Sequence, residues 1–264
     1  DSAPAPMARE RGVAIDAVLA GSLPRAGDEV RITAQITMAT TGQTIWARSY
    51  IGQLRGILSL QDSVVRAVAD TVRVSLTPRD STRLSAAKKQ VDPAAYEAYL
   101  RGVSAYGESN GAAFRKGIGF FREAIRLEPT YALAYAYLAS CYTELGYFAL
   151  EAPEETFPKA RAAAEMAREL DPALGQAYAN IARIDHIYAW DFPAADRNFR
   201  RAVELNPSGP VHLMYETYLS AMQRSNEAIA EGKRSIEVDP LFVLYRAAAA
   251  RPYYNARRYP EAIA

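Results

Sequence analysis

Cysteine is all but missing from these 264 residues: Cys141 stands alone. A single thiol excludes an internal disulfide framework and a cysteine-rich zinc site. The apolar neighbours of Cys141 at helical spacing make it a small core residue. Low cysteine use fits the cytoplasm and a bacterial periplasm alike. Histidine is nearly as scarce. His186 and His212 belong to different segments, and neither sits in HExxH, so a zinc-hydrolase reading has no support. No run of about 18 apolar residues occurs, so nothing here spans a membrane as a helix. Neither charge dominates, with 31 Lys and Arg against 30 Asp and Glu. A dedicated nucleic-acid binder would carry a basic excess, and the basic pairs Lys88-Lys89 and Arg257-Arg258 are isolated.

The motifs of common chemistries are missing too. There is no GxxxxGK[ST] loop, and Gly117-Ile-Gly119 lacks the third glycine of a dinucleotide fingerprint. No GxSxG elbow occurs, since Gly102-Val-Ser-Ala-Tyr-Gly107 has the wrong spacing. Glu151, Glu154 and Glu155 are expected in a loop ahead of a helix, where negative charge favours the helix start. General acid–base work needs carboxylates facing one another across a pocket. The expectation is a protein that is not an enzyme and holds no cofactor and no metal. Asp1-Ser-Ala-Pro-Ala-Pro lacks the charged leader and apolar stretch of a signal peptide. Without an initiator methionine, and with Ala264 inside a helical pattern, both ends are expected to be cut, leaving room for an anchor upstream.

What is present divides into two periodicities. In Glu29–Met38 the apolar set Val30, Ile32, Ala34, Ile36 and Met38 alternates with Arg31, Thr33, Gln35 and Thr37. That period of two is a half-buried strand. Ala14–Leu23 and Gln43–Tyr50 read as strands on either side, joined through turn residues at Pro24–Asp28 and Thr40–Gly42. Ile57, Leu60, Val64, Val68 and Val72 recur in steps of three and four, predicting an amphipathic helix over about 57–76 that covers one face of the sheet. Residues 78–91 are polar and weakly patterned, and read as a linker. From Asp92-Pro93 onward the pattern is helical.

The helical part repeats. Ile125–Pro129, Arg168–Pro172, Val203–Pro207 and Ile236–Pro240 close alike, and their prolines are 43, 35 and 33 residues apart. Proline cannot continue a helix and pushes the preceding residue out of helical geometry. Each therefore ends one hairpin and begins the next. Five residues before each proline stand Ala124, Ala167, Ala202 and Ser235. Twelve before stand Gly117, Ala160, Ala195 and Ala228, small enough for close helix approach. Between them come Phe121, Ala164, Phe199 and Gly232. The first helices carry Tyr135, Leu138, Ala139 and Tyr142, then Tyr178, Ile181 and Ala182, with Asp185 where an aromatic is usual.

These four units resemble tetratricopeptide repeats, whose period is about 34 residues. The resemblance covers roughly 92–264, as about four and a half hairpins. The segments Ala17–Ser22, Val30–Ile36, Thr41–Tyr50 and Leu60–Asp62 are similar, in order, to the C-terminal half of a TolB N-terminal-like domain, over about 11–77. The fold expected is therefore α+β: a small antiparallel sheet with one packed helix in 1–77, then an all-α helical-hairpin solenoid in 92–264. Such front domains precede tetratricopeptide repeats in bacterial signalling proteins. The resemblance implies a bacterial origin on the periplasmic side of the inner membrane, with the cytoplasm as the alternative.

The resemblance also implies a function. Tetratricopeptide stacks hold proteins in a groove lined by the first helix of each hairpin. Mapped by register, that groove takes Tyr99, Tyr106, Ala136, Ser140, Thr143, Gln176, Ala179, Arg183, His186, Met214, Tyr218 and Met222. The same residues would serve equally in packing against a neighbouring hairpin or the front domain. The set lacks the lysine and asparagine cluster of the family's carboxylate-clamp members and suits an apolar helix or an extended segment. About nine residues beyond the family period fall near Gly146–Phe157. Tyr147, Phe148 and Leu150 of that stretch are expected to dock on a partner or fold back over the groove. The partners implied are other proteins, with no nucleic acid. The chain then reads as a scaffold or adaptor in a larger, membrane-bound assembly, or alternatively as a sensory ectodomain of a kinase- or winged-helix-linked signalling protein.

Overall fold

The structure is a computed structural model that describes residues 16–53, 56–71, 91–239 and 242–263. The chain divides into two compact units, Asp1–Pro93 and Ala94–Ala264.

The first unit holds strands β1 (Ala17–Ser22), β2 (Arg25–Ala26), β3 (Glu29–Met38) and β4 (Thr44–Gln53), then helix α1 (Ile57–Thr71). β1 and β4 flank β3, both antiparallel, which is the expected meander. The segment read as a plain turn does more: β2 folds straight back onto Val30 and Glu29. Gly27, at φ 61°, provides the left-handed residue this tight reversal needs. The two-residue period of β3 holds, with Val30, Ala34 and Ile36 buried and Glu29, Arg31 and Gln35 exposed. Helix α1 lies on the sheet through Leu60, which covers Gly52 of β4 so closely that a Cβ there would come within 3.2 Å of Leu60 Cδ1. Ile57 and Ala69 are buried on the same helix. The first two residues of the expected strand 14–23, the last turn of the expected helix at 72–76, and the linker apart from Val91 lie outside the described residues.

The second unit is a run of five helical hairpins. They pair α2 (Pro93–Gly107) with α3 (Gly111–Leu127), α4 (Ala132–Tyr147) with α5 (Pro153–Leu170), and α6 (Gly175–Ile184) with α7 (Phe192–Leu205). Then come α8 (Gly209–Ala221) with α9 (Ser225–Val238), and α10 (Val243–Asn255) with the short α11 (Tyr259–Ile263). The first helices touch in sequence from α4 through α6 and α8 to α10, as do consecutive helices from α3 onward.

The repeat ends are set by local sterics. Glu128, Asp171, Asn206 and Asp239 precede the four prolines, and all take nearly the same conformation, φ −135° to −145° with ψ 85° to 92°. A following proline forbids the helical alternative. Pro240 itself lies outside the described residues. In each case the amide at this position donates to the carbonyl of the small residue four before it: Ala124, Ala167, Ala202 and Ser235. Those four side chains are fully buried, as are Ala160, Ala195 and Ala228 at the other small position. Where the intervening residue is Phe121, the facing helix must be bare: a Cβ at Gly102 would stand 2.5 Å from Phe121 Cε1.

The long second hairpin absorbs its extra residues differently from the expected loop insertion. The connection Phe148–Ala152 is short, and α5 runs 18 residues against 14 in both α7 and α9. Part of the excess is thus additional helix, with Glu154 and Glu155 in its first turn rather than in a loop. The third hairpin has its own irregularity. After Ile184 the helix widens into a π turn, Asp185–Ala189, and stops at Trp190 in left-handed geometry, φ 58°. Asp185 is buried and accepts hydrogen bonds from Arg161 Nη2 at 2.5 Å and Asn198 Nδ2 at 3.1 Å. A buried carboxylate is accommodated here because a cation and an amide from two neighbouring helices meet it.

Candidate functional site

All five first helices contribute to one groove of about 690 Å³ in the helical unit. Tyr106 comes from α2, Glu144 and Tyr147 from α4, and Arg183 from α6, with His186 and Ile187 from the π turn. Leu213, Met214 and Thr217 come from α8, and Tyr245 and Arg251 from α10. Phe148, 58% exposed in the α4–α5 connection, also lines it.

The charges of the groove are satisfied within it. Arg183 grips Glu144 with two hydrogen bonds, at 2.5 and 2.9 Å, across the α4–α6 seam. Tyr106 donates to the same carboxylate at 3.2 Å. The guanidinium lies over the Tyr147 ring, 5.0 Å from its centre. Burial works against the Arg183 cation, but the bonds and charge of Glu144 outweigh it and hold its pKa above the ordinary arginine value. Burial, followed by the charge of Glu144, pushes the Tyr106 phenol up as well. A second pair lies at the α8–α10 seam. Arg251 donates to the fully buried Glu216 and, at 2.7 Å, to Thr217 Oγ1. Arg183 and Arg251 each stand eleven residues after their repeat proline, and each reaches back to a glutamate of the preceding first helix.

Of the candidate binding residues, the groove gathers Tyr106, Arg183, His186 and Met214 from the register and Tyr147 and Phe148 from the insertion. The others are elsewhere. Tyr99 sits in a ring cluster with Phe121, Tyr131 and Tyr137. Thr143 is fully buried and donates to the Ala139 carbonyl. Tyr218 is buried against Phe199, its hydroxyl donating to the Phe192 carbonyl. Met222 packs on that same Phe199 cluster. Leu150 covers Gly111 of α3, and Arg115 ties its carbonyl and Glu151 down, so this part of the connection folds onto the first hairpin and not over the groove. Ala136, Ser140 and Ala179 are buried, with Ser140 hydrogen-bonded to Asn180, which Gln176 also reaches.

Three of these displacements are a single step along a helix. Glu144, Thr217 and Ala221 line the groove, next in sequence to Thr143, Tyr218 and Met222. One residue along an α-helix is a turn of about 100°, enough to exchange the groove for the seam. Another pair, buried His212 Nδ1 and Glu231 Oε2 at 2.6 Å, had no signal in the sequence because the partners belong to different helices.

His186 gives this site a pH dependence. Burial, and then the nearby Arg183 charge, lower its pKa below the ordinary histidine value of 6.5. The folded protein therefore binds this proton less readily than the unfolded chain. Stability falls as pH drops through 6.5 toward the depressed folded pKa, and is unaffected by this group above it. Thermal melts of wild type and His186→Gln between about pH 7.5 and 5 are expected to converge on the acid side, the variant losing less. Parallel curves would remove His186 from the acid response.

No family model matches the chain. The putative adenylate cyclase 3 of Rhizobium meliloti (strain 1021) is 34% identical over 133 residues, which is 50% of this chain and 22% of that protein. The chain thus spans about a fifth of this relative's length. Among solved structures, TTC0263, a thermophilic TPR protein in Thermus thermophilus, is 14% identical with a TM-score of 0.45, over 61% of this chain and all of its own. MamA is 15% identical with a TM-score of 0.43, over 64% of this chain and 86% of its own. YrrB, described as a TPR protein with an unusual peptide-binding site, is 18% identical with a TM-score of 0.39, over 69% of this chain and 85% of its own.

Proposed function

We propose that the helical unit is a protein-binding module with no chemistry of its own, and that its ligand occupies the groove between the first helices. One observation carries this reading. The groove is walled by Phe148, Ile187, Leu213 and Met214, while its charged groups are already paired with one another. An apolar trough with neutralised charges gains most by burying the apolar surface of another protein. It offers nothing that would prefer an acidic peptide end. The test compares the proteins recovered by the wild-type chain with those recovered by Phe148→Glu. This side chain is exposed, so the substitution is expected to change stability by no more than about 0.5 kcal/mol. A binding partner of the groove is lost from the variant. Identical recovery by both chains would end the reading.

A second reading concerns the setting. The likeness to a putative adenylate cyclase, over a fifth of that protein's length, favours a regulatory segment of a larger bacterial signalling chain over a free-standing scaffold. In this reading the front unit, similar to a TolB N-terminal-like half, and the hairpin stack sense a partner and pass its presence to an output domain carried elsewhere. A membrane-bound assembly is a further part of the same proposal.

A further inference from the structure

Resting on the groove reading above, we infer that the occupant is an α-helix of a partner protein, presenting an uncharged apolar stripe, and not an extended segment. The choice follows from hydrogen-bond complementarity. An extended chain brings one amide and one carbonyl per residue into the groove, and each must be met there once water is removed. Apart from Ser109, Phe148 and Phe242 in the connections, the walls are helices, whose backbone groups are already bonded along the helix. Their polar side chains are engaged too. Tyr106 and Arg183 donate to Glu144, Thr217 donates to the Leu213 carbonyl, Ser109 donates to the Gly107 carbonyl, and Arg251 holds Glu216 and Thr217.

Among the described residues, the groups left for a ligand are few and scattered: His186, the hydroxyls of Tyr147 and Tyr245, the Arg183 Nε, and one η-nitrogen of Arg251. Burial, and then the Arg183 charge, lower the His186 pKa. A bound extended segment would leave much of its backbone unmet. A helix satisfies its own backbone and offers only side chains. The volume fits this division, since about 690 Å³ is the size of a pocket for a drug-sized ligand. It takes a few side chains from one helix face, at i, i+3, i+4 and i+7, while the helix axis stays outside. The charges in the walls are paired, so a charge on that stripe would lose water with no partner to replace it.

Two displayed peptide libraries test this on the full 264-residue chain. One has a helical scaffold with its face randomised, and the other carries regularly placed prolines that bar a helix. Binders are selected on wild type and counter-selected on Met214→Glu/Phe148→Glu, whose helicity is checked by circular dichroism. Phe148→Glu alone replaces it if the double variant unfolds. Groove-dependent binders are expected from the helical library, with apolar stripes. A proline placed mid-helix in one of them is expected to weaken binding about 100-fold. Groove-dependent binders arising instead from the proline library, or stripes rich in charge, would overturn the inference and leave the groove reading standing. No groove-dependent binder from either library would overturn both.

Discussion

Replacing Glu144 by alanine is expected to destabilise the helical unit by about 3–5 kcal/mol, because it strands a buried cation. Glu144 is 8% exposed, and both of its oxygens accept from Arg183, with Tyr106 as a third donor. The Arg183 side chain is 16% exposed, so water does not replace what is lost. Removing one partner is costly, whereas removing both is not, since an apolar pair of similar volume is often neutral or better. Glu144→Leu/Arg183→Met is therefore expected to recover most of the loss. Urea denaturation followed by circular dichroism reads both, and the single variant should lower the midpoint by about 1 M or more. A double variant no better than Glu144→Ala would mean that the seam depends on the shape of the pair and not on an uncompensated charge.

Truncating Phe199 to alanine is expected to cost about 3–5 kcal/mol, through lost transfer energy and the cavity left behind. Phe199 is fully buried between Ala195 and Ala202, and its ring centre lies 5.4 Å from those of both Tyr215 and Tyr218. Those tyrosines are themselves anchored, Tyr215 on Asp196 at 3.0 Å and Tyr218 on the Phe192 carbonyl at 2.9 Å, so collapse into the gap is resisted. Thermal and urea unfolding of Phe199→Ala give the cost directly. Phe199→Leu should recover part of it, as the volume change is smaller. The converse substitution discriminates between repeats. The equivalent position in the fourth hairpin is Gly232, where a Cβ would lie 3.1 Å from Ala249 Cα. Gly232→Phe is expected to disrupt that seam, although phenylalanine is native two helices earlier. A tolerated Gly232→Phe would show that the repeats share one interchangeable seam.

These variants separate what local sequence dictates from what packing decides. The helix stops ahead of the repeat prolines, the strand alternation at Val30–Ile36 and the small residues five and twelve before each proline were legible, and all lie where they were expected. Whether the residue between the small pair is Phe121, Ala164, Phe199 or Gly232 was visible too. What each meant for the facing helix was not, because the answer sits on another element, as Gly102 does for Phe121. The length of the second hairpin is legible in the proline spacing, but its division is not, since α5 takes part of the excess as added helix.

Sequence alone determined the features that local sterics enforce: where helices stop, which strand residues share a face, and where two helices come close. A proline acts on its immediate neighbour and a strand's period is exact, so one chain suffices to read them. Tertiary structure alone decided the groove. Its Glu144–Arg183 and Glu216–Arg251 pairs join residues 39 and 35 positions apart. Whether Glu144 or Thr143 faces inward rests on a rotation of about 100° per residue. Packing against the neighbouring hairpin fixes that rotation, and no signal within the helix does.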